Sequence, residues 1–269
     1  MTGSWHCEQL SAEENTAVAP LRRQIADGAA ILGHAGLNQG YGHLSARVPG
    51  RELFLITPRK NFNEIAPDEI EVVDFEGHKL TTNSAYRAPN ELFIHACVYR
   101  ARPEITSVAR NQAEYVEAFG VAGVSIRPTH DFGAILMGAT PVYEEPRLVT
   151  TPARGAAMVA ALGAHEALML RGNGCLVLGR SVPEAVVRAV FLEESARLQF
   201  RALVIRLATH GDGAISYFDD AEIAELGREL GRADRIDRKW RSLLLDAGRE
   251  PTDEPIDPAQ MSEPSLDRS

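Results

Sequence analysis

The sequence lacks the features of a disulfide-stabilised, secreted or membrane-spanning protein. Its three cysteines, Cys7, Cys97 and Cys175, form no C-x-x-C pair, and an odd number makes a poor disulfide framework. No apolar run reaches the ~20 residues of a transmembrane helix. The first thirty residues carry acidic side chains where a signal peptide would be apolar. We therefore expect a cytoplasmic protein in reducing surroundings, without a membrane partner.

Positive charge is also scarce. Lys and Arg number 28 against 37 Asp and Glu, which gives a formal net charge of −9. This balance argues against non-specific nucleic-acid binding, which needs a basic face to neutralise phosphates. It leaves room for a small anionic substrate, because one local arginine can outweigh a distant acidic average. The 269 residues, of which 45% are hydrophobic, are enough to bury a sizeable core.

Helical and strand patterns alternate along the chain without regular βαβ order, which predicts one α/β (α+β) domain with a mostly antiparallel sheet covered by helices. Apolar spacing predicts helices over 20–35, 90–102, 115–119, 183–207 and 221–247, and a further helix capped by Thr150 or Thr151. Residues 121–150 have the composition of short strands and loops. We divide the chain into an irregular N-terminal arm (1–19), a main domain (20–210), a helical extension (211–249) and a disordered, proline-rich tail (250–269).

Several motifs follow one another in a specific order. A helix ending in Ala-Gly-Leu precedes the run Gly-His-Leu-Ser-Ala-Arg (42–47), and Thr57-Pro58 follows. Glu91 and His95 then share a helix, and Arg-Gly-Asn-Gly (171–174) precedes the last apolar strand. From about residue 20 to 205 this order resembles the class II aldolase/adducin family, which includes fuculose-phosphate-type aldolases, pentulose-phosphate epimerases and some aromatic-acid decarboxylases. The resemblance implies a homo-oligomer, usually a tetramer, with active sites at subunit interfaces.

The resemblance also implies a divalent metal held by three histidines, and this chain departs from that pattern. The matching positions carry Arg110, Gln112 and Asn173. Arg110 has no acceptor and cannot be a ligand, while Gln112 and Asn173 offer only weak carbonyl oxygens. We therefore predict no metal at this position and no other cofactor.

Three residues are candidates for catalysis. Glu91 matches the acid/base carboxylate of the family, although a first-turn charge that the helix dipole favours is the plain alternative. Arg110 stands where the metal would be and could hold a developing oxyanion or a carboxylate; a structural ion pair is its alternative. His130 could be a second acid/base, with Asp131 in place of a family tyrosine that reaches a neighbouring subunit's site, or simply a structural hydrogen-bonding residue.

Other residues are candidates for binding substrate. Gln112 and Asn173 could donate hydrogen bonds to the oxyanion, and Asp131 is a further candidate for contacting the substrate. Asn38, His43 and Ser45 lie in the turn where family members bind the anionic end of a substrate. Arg59 and Lys60 replace the phosphate-binding Ser-Gly of the family, which weakens the case for a sugar phosphate. For His95 we expect packing or a supporting hydrogen bond.

Three hypotheses follow. The first is a metal-independent carbon–carbon lyase, acting by retro-aldol cleavage or decarboxylation, or a related isomerisation, cyclisation or elimination, in biosynthesis of specialised metabolites. Its substrate would be a small, already activated carbonyl acid. The second is a non-catalytic binding or scaffold module like the adducin head. The third is a metal-dependent aldolase or decarboxylase with a relocated metal site at Glu91, His95 and His130.

Overall fold

A computed structural model describes residues 9–38, 40–81, 86–209 and 215–251 of the chain. Within them lies a seven-stranded sheet with the spatial order β3-β2-β1-β4-β7-β6-β5. Every neighbouring pair is antiparallel except β5 and β6, which are parallel. The strands are β1 (His43–Arg47), β2 (Leu53–Ile56), β3 (Glu71–Asp74), β4 (Ser107–Asn111), β5 (Val142–Tyr143), β6 (Ala167–Leu170) and β7 (Cys175–Gly179).

Eight α-helices accompany the sheet in the described ranges. They are α1 (Ala12–Ala17), α2 (Ala19–His34), α3 (Leu92–Ala101), α4 (Glu114–Ala122), α5 (Pro152–Leu162), α6 (Val182–Ala208), α7 (Asp220–Leu230) and α8 (Ala233–Asp246). Side-chain caps fix several of their starts: Thr151 accepts from the Arg154 amide at α5, and Ser181 accepts from the Glu184 amide at α6. The predicted mixed fold, with a mostly antiparallel sheet covered by helices, is confirmed.

The sheet buries both faces because its strands alternate between two apolar clusters. One cluster contains Leu44 and Ala109 and packs against α2, α6 and α8. The other contains Val108 and packs against α3 and α5. His43 and Ser45 on β1, and Arg110 on β4, point by strand alternation toward the α3 side. These polar side chains are thereby placed under the first turns of α3.

Several element boundaries differ from the sequence expectations. Residues 12–17, expected to be irregular, form α1, because Ser11 and Glu14 make a capping box. The expected helix over 221–247 is two helices, since the chain turns at Gly231 and Arg232. Helix α4 extends to Ala122 and ends at Gly123, which has a φ of 66°. Residues 121–150 hold only one short strand in the main sheet, β5, along with a 3-10 helix (Asp131–Leu136).

The terminal regions are described only in part. Residues 1–8, which include Cys7, and the tail from residue 252 onward lie outside the described residues. The last residue of the expected main domain, 210, and the start of the expected helical extension, 211–214, lie outside them as well. Among the described helices, none has the length and apolar character needed to cross a lipid bilayer.

Candidate active site

A cavity of about 530 Å³ opens beside the N-terminus of α3, where β1 begins and β4 ends. This volume lies in the range of ordinary small-molecule sites. Five residues that the sequence singled out line it together: His43, Glu91, Arg110, Gln112 and Asn173. Arg59 and Lys60 line it too, on the opposite loop. Arg59 is bound to Asn90, and Lys60 to Glu69.

Glu91 is a buried carboxylate with two unlike oxygens. Its Oε1 accepts hydrogen bonds from the Val149 amide and from Asn173 Nδ2, both at 3.1 Å. Its Oε2 lies 3.6 Å from Arg110 Nη2 and 3.9 Å from His43 Nε2, which is beyond hydrogen-bond distance in both cases. Oε1 is therefore held by the protein, and Oε2 is the oxygen available to a bound molecule.

Arg110 is a buried cation, only 2% exposed, that stands next to this carboxylate. Its Nη1 donates to the Tyr41 carbonyl, and its Nη2 donates to the Asn173 side-chain oxygen and, at 3.1 Å, to the Asn173 carbonyl. Its Nε is buried and has no hydrogen-bond partner in the described residues. Burial lowers the pKa of Arg110 and the Glu91 charge opposes this, so that the guanidinium stays protonated.

The charge state of Glu91 follows from these neighbours. Burial by itself would raise the pKa of the carboxyl, but contacts with His43 and Arg110 and the Val149 amide outweigh burial and lower it to about 2. The 3.9 Å separation from His43 is too long for a hydrogen bond. Burial also lowers the pKa of His43 and so favours a neutral ring. We therefore ascribe most of the shift to Arg110. Glu91 is an ionised base at neutral pH.

The turn that carries Asn173 depends on glycine. Gly172 and Gly174 both have a φ of 69°, in the left-handed region that favours glycine. A Cβ on Gly174 would lie 2.0 Å from the Asn111 carbonyl oxygen. The turn between β6 and β7 therefore packs directly on the end of β4, and this contact places Asn173 beside Arg110.

A buried chain of hydrogen bonds runs away from the pocket behind His43. His43 Nδ1 lies 2.5 Å from His95 Nε2, and His95 Nδ1 lies 2.6 Å from Ser45 Oγ. Ser45 Oγ in turn lies 2.6 Å from the Tyr99 hydroxyl. His95 thus makes the supporting contact expected of it. This chain of hydrogen bonds was not predicted from the sequence. The spacing of Glu91, His95 and Tyr99 along one face of an apolar helix was a usable signal for it.

Four of the proposed site residues lie elsewhere in their own chain. Ser45 is fully buried in the hydrogen-bonded chain, because strand alternation turns it under α3. Asn38 lines a smaller adjoining cavity of about 300 Å³, where its Oδ1 accepts from the Gly40 amide. His130 bonds Ser195 on α6, at 2.9 Å, and Asp131 is an exposed neighbour that caps the Phe132 amide. Ser45 therefore has no exposed surface toward this pocket in its own chain, and its contact with a substrate stays a prediction.

The side chains at the metal positions do not fit a divalent metal. Arg110 brings a positive charge, and the Asn173 amide oxygen, a weak ligand at best, already accepts from Arg110. No group of three or more His, Cys, Asp or Glu side chains suited to a metal occurs in the described part of the chain. Glu91, His95 and His130 of one chain also do not form the relocated metal site. Both ring nitrogens of His95 are hydrogen-bonded, and His130 is hydrogen-bonded to Ser195 on α6.

The fold and the site together define an α/β protein with a small-molecule pocket built around a buried carboxylate and guanidinium. The sequence model of the "Class II Aldolase and Adducin N-terminal domain" matches residues 23–200. The chain belongs to this family.

Similar proteins agree with this assignment. The chain is 31% identical over 241 residues to a 3,4-dihydroxyphthalate decarboxylase of Arthrobacter keyseri, a match covering 84% of this chain and 93% of the relative. It is 34% identical over 219 residues to the enzyme of that name from a Terrabacter species, covering 77% and 90%. Among solved structures, L-fuculose 1-phosphate aldolase of Glaciozyma antarctica superposes with a TM-score of 0.73 at 21% identity, covering 89% of this chain and 92% of the aldolase.

Proposed function

We propose that this protein is a decarboxylase of small, activated carboxylic acids that works without a metal, with Arg110 in the place of the metal. The observation that carries the proposal is the pairing of a buried guanidinium with a carboxylate in one pocket, 3.6 Å apart. Three relatives that share 29–34% identity are 3,4-dihydroxyphthalate decarboxylases, which favours decarboxylation over retro-aldol cleavage. We propose hydroxylated aromatic acids as the first substrates to examine.

Arg110 would bind the substrate oxygen on which negative charge develops. A guanidinium fixed by its bonds to Tyr41 and Asn173 is preorganised, and such donors act strongly where water is excluded. It polarises an oxygen less than a divalent cation does. The substrate must therefore already stabilise negative charge, as a hydroxylated ring or a β-keto acid does.

Glu91 would move the proton. Loss of CO₂ leaves the electron pair of the broken C–C bond on the substrate, and one proton must reach that carbon. Because Glu91 is ionised, its Oε2 can take the proton of a substrate hydroxyl and return it to this carbon. The hydroxyl oxygen regains a proton from solvent, so that one proton is consumed for each CO₂ released.

The assembly belongs to the same proposal. Since His130 and Asp131 lie outside the pocket of their own chain, a role for them in catalysis requires a homo-oligomer in which they approach a neighbouring subunit's pocket. We propose such an oligomer, a tetramer by analogy with the family. Within one chain the polar groups converge on a cavity, which favours an enzyme over a scaffold module.

The proposal is tested by CO₂ release from 3,4-dihydroxyphthalate after dialysis against a strong chelator. We expect turnover that the chelator leaves unchanged, and its loss in Arg110→Met. Activity that disappears with the chelator and returns with zinc or manganese would overturn metal independence. If neither this acid nor a panel of hydroxybenzoates and β-keto acids releases CO₂, while L-fuculose 1-phosphate is cleaved, the chain is an aldolase.

A further inference from the structure

His43 joins the pocket to the buried chain of hydrogen bonds. It lines the cavity, yet the residue is only 5% exposed. Its Nδ1 is hydrogen-bonded to His95. Its Nε2 faces Glu91 Oε2 at 3.9 Å, which is too far for a direct hydrogen bond. One nitrogen is therefore fixed from behind, and the other faces the space that a substrate would fill.

The protons of the chain can be arranged in two directions. In the first, the Tyr99 hydroxyl donates to Ser45, Ser45 donates to His95 Nδ1, and His95 Nε2–H donates to His43 Nδ1. His43 then carries its proton on Nε2, facing a carboxylate. In the reverse direction, an Nε2 lone pair would face the negative charge of Glu91, and the Tyr99 proton would need another acceptor. The first direction gives a partner to both nitrogens of His95 and to Nδ1 of His43, leaves the Nε2–H of His43 for a bound molecule, and avoids that repulsion.

We propose that His43 is a neutral hydrogen-bond donor to the substrate through Nε2–H, and that His95, Ser45 and Tyr99 are positioning residues that fix this tautomer. The proposal rests on the proposed function only in placing a substrate in this pocket. One aromatic residue, Phe54, supports the positioning role. Its ring stacks on the His95 ring at a centroid distance of 5.9 Å and contacts the Tyr99 ring, tilted by 51°, at 5.7 Å.

The hydrogen-bonded side chains behind the pocket favour their uncharged forms. Burial lowers the pKa of His43 and takes that of His95 well below its usual value. Burial raises the pKa of the Tyr99 hydroxyl well above its usual value. A neutral imidazole adds a donor to the pocket without repelling Arg110, its cross-strand neighbour on β4. His43 and Arg110 would thus bind different oxygens of one substrate, and Glu91 would remain the proton carrier.

The tautomer can be measured on the free protein, before any substrate is known. Long-range ¹H–¹⁵N correlation spectra near pH 7 distinguish Nε2–H, Nδ1–H and charged imidazoles. His43→Gln identifies the signals of His43, and His78→Gln, at an exposed ring paired with Asp74, serves as a control. We expect a single Nε2–H form. An Nδ1–H form or an imidazolium at His43 would overturn the proposal.

The positioning role has its own test. Ser45→Ala removes the donor to His95 Nδ1, so we expect a measurable share of the second His43 tautomer. Ser107→Ala is the matched control, because the hydroxyl of this buried serine donates to the Ser45 carbonyl at 2.8 Å and not to the His95 ring. An unchanged single tautomer in Ser45→Ala would show that the chain does not set it.

Substrate contact is tested with phthalate, a dicarboxylate that carries no ring hydroxyl. Saturating phthalate should shift the His43 Nε2–H proton, and no shift would refute the donor role. In the CO₂ assay with 3,4-dihydroxyphthalate, His43→Gln places an amide donor near the Nε2 position and should retain activity within about tenfold. His43→Asn should lose about a hundredfold. Equal losses in both variants would contradict the role. Absence of CO₂ release by the unaltered protein would instead count against the proposed reaction alone.

Discussion

Replacing Arg110 with methionine should raise the pKa of Glu91. Methionine keeps an unbranched apolar stem but removes the charge 3.6 Å from Glu91 Oε2. At an effective dielectric constant of about 20, two unit charges at that distance attract by about 5 kcal/mol, or about three pKa units. The pKa of Glu91 is lowered from 4.5 to about 2, a shift of similar size. Since burial remains in the variant, we expect the pKa of Glu91 to rise above 4.5.

The sign of the stability change with pH should then reverse at this residue. In the unaltered protein the depressed pKa of Glu91 stabilises the fold above its unfolded pKa, and this contribution is lost as the pH falls toward about 2. In Arg110→Met the folded pKa lies above the unfolded one, so the protonated carboxyl favours the fold and its contribution is lost as the pH rises. The free-energy gap between the two proteins should widen from about pH 4 to about pH 7.

Two measurements check this reasoning. Carboxyl ¹³C NMR should show Glu91 titrating in an accessible range in the variant, and urea unfolding at several pH values should give the widening gap. Arg100→Met, at an exposed arginine of α3 that pairs with Glu76, is the control and should change neither. A Glu91 pKa that remains near 2 in Arg110→Met would refute the assignment of the shift to Arg110. In the CO₂ assay we expect kcat/KM to fall by about 10²–10³.

Three further predictions concern the turn, the base and the metal positions. Gly174→Ala should destabilise the fold by more than ~3 kcal/mol in urea unfolding, because its Cβ would meet the Asn111 carbonyl. Gly172→Ala has the same φ but open space around the added Cβ, and it should cost only about 1–2 kcal/mol. Equal losses of stability in the two variants would contradict the contact. Glu91→Gln should lower kcat by about 10²–10⁴ in the CO₂ assay while the amide oxygen still accepts from Val149, and a near-normal rate would exclude Glu91 as the base. A variant with histidine restored at all three metal positions should bind about one equivalent of zinc by elemental analysis, against less than about a tenth for the unaltered protein; tight zinc binding by the latter would contradict our interpretation of the site.

The sequence predicted most of the fold because its signals are local. The cap of Thr151 before Pro152 and the apolar strands on either side of the 171–174 turn need only neighbouring residues to be recognised. The division of 221–247 into two helices was missed, since the sequence there is amphipathic throughout and the break at Gly231 is a single residue. The short helix α1 was missed because its capping box lies in an otherwise polar stretch.

The pocket was predictable only where a motif fixed both position and direction. Glu91, Arg110 and Asn173 converge because family spacing places them on three elements that meet at one end of the sheet. Ser45 was proposed to contact the substrate because it follows a glycine-rich turn. The alternation of side chains along β1, which that proposal left out, directs Ser45 under α3. Ser45 and His95 are fifty residues apart in sequence, and their hydrogen bond forms only because α3 packs on β1.

Two of the three replacements at the metal positions, Arg110 and Asn173, form a connected set with Glu91. Arg110 donates to the Asn173 oxygen, Asn173 donates to Glu91, and Glu91 balances the charge of Arg110. Changing Arg110 alone to histidine would leave the Glu91 carboxylate without its cation and the Asn173 side-chain oxygen without its guanidinium donor. Removing one partner of such a buried set costs more than exchanging the set together. A single change of Arg110 or of Asn173 toward the three-histidine arrangement should therefore give a less stable pocket than the unaltered protein has.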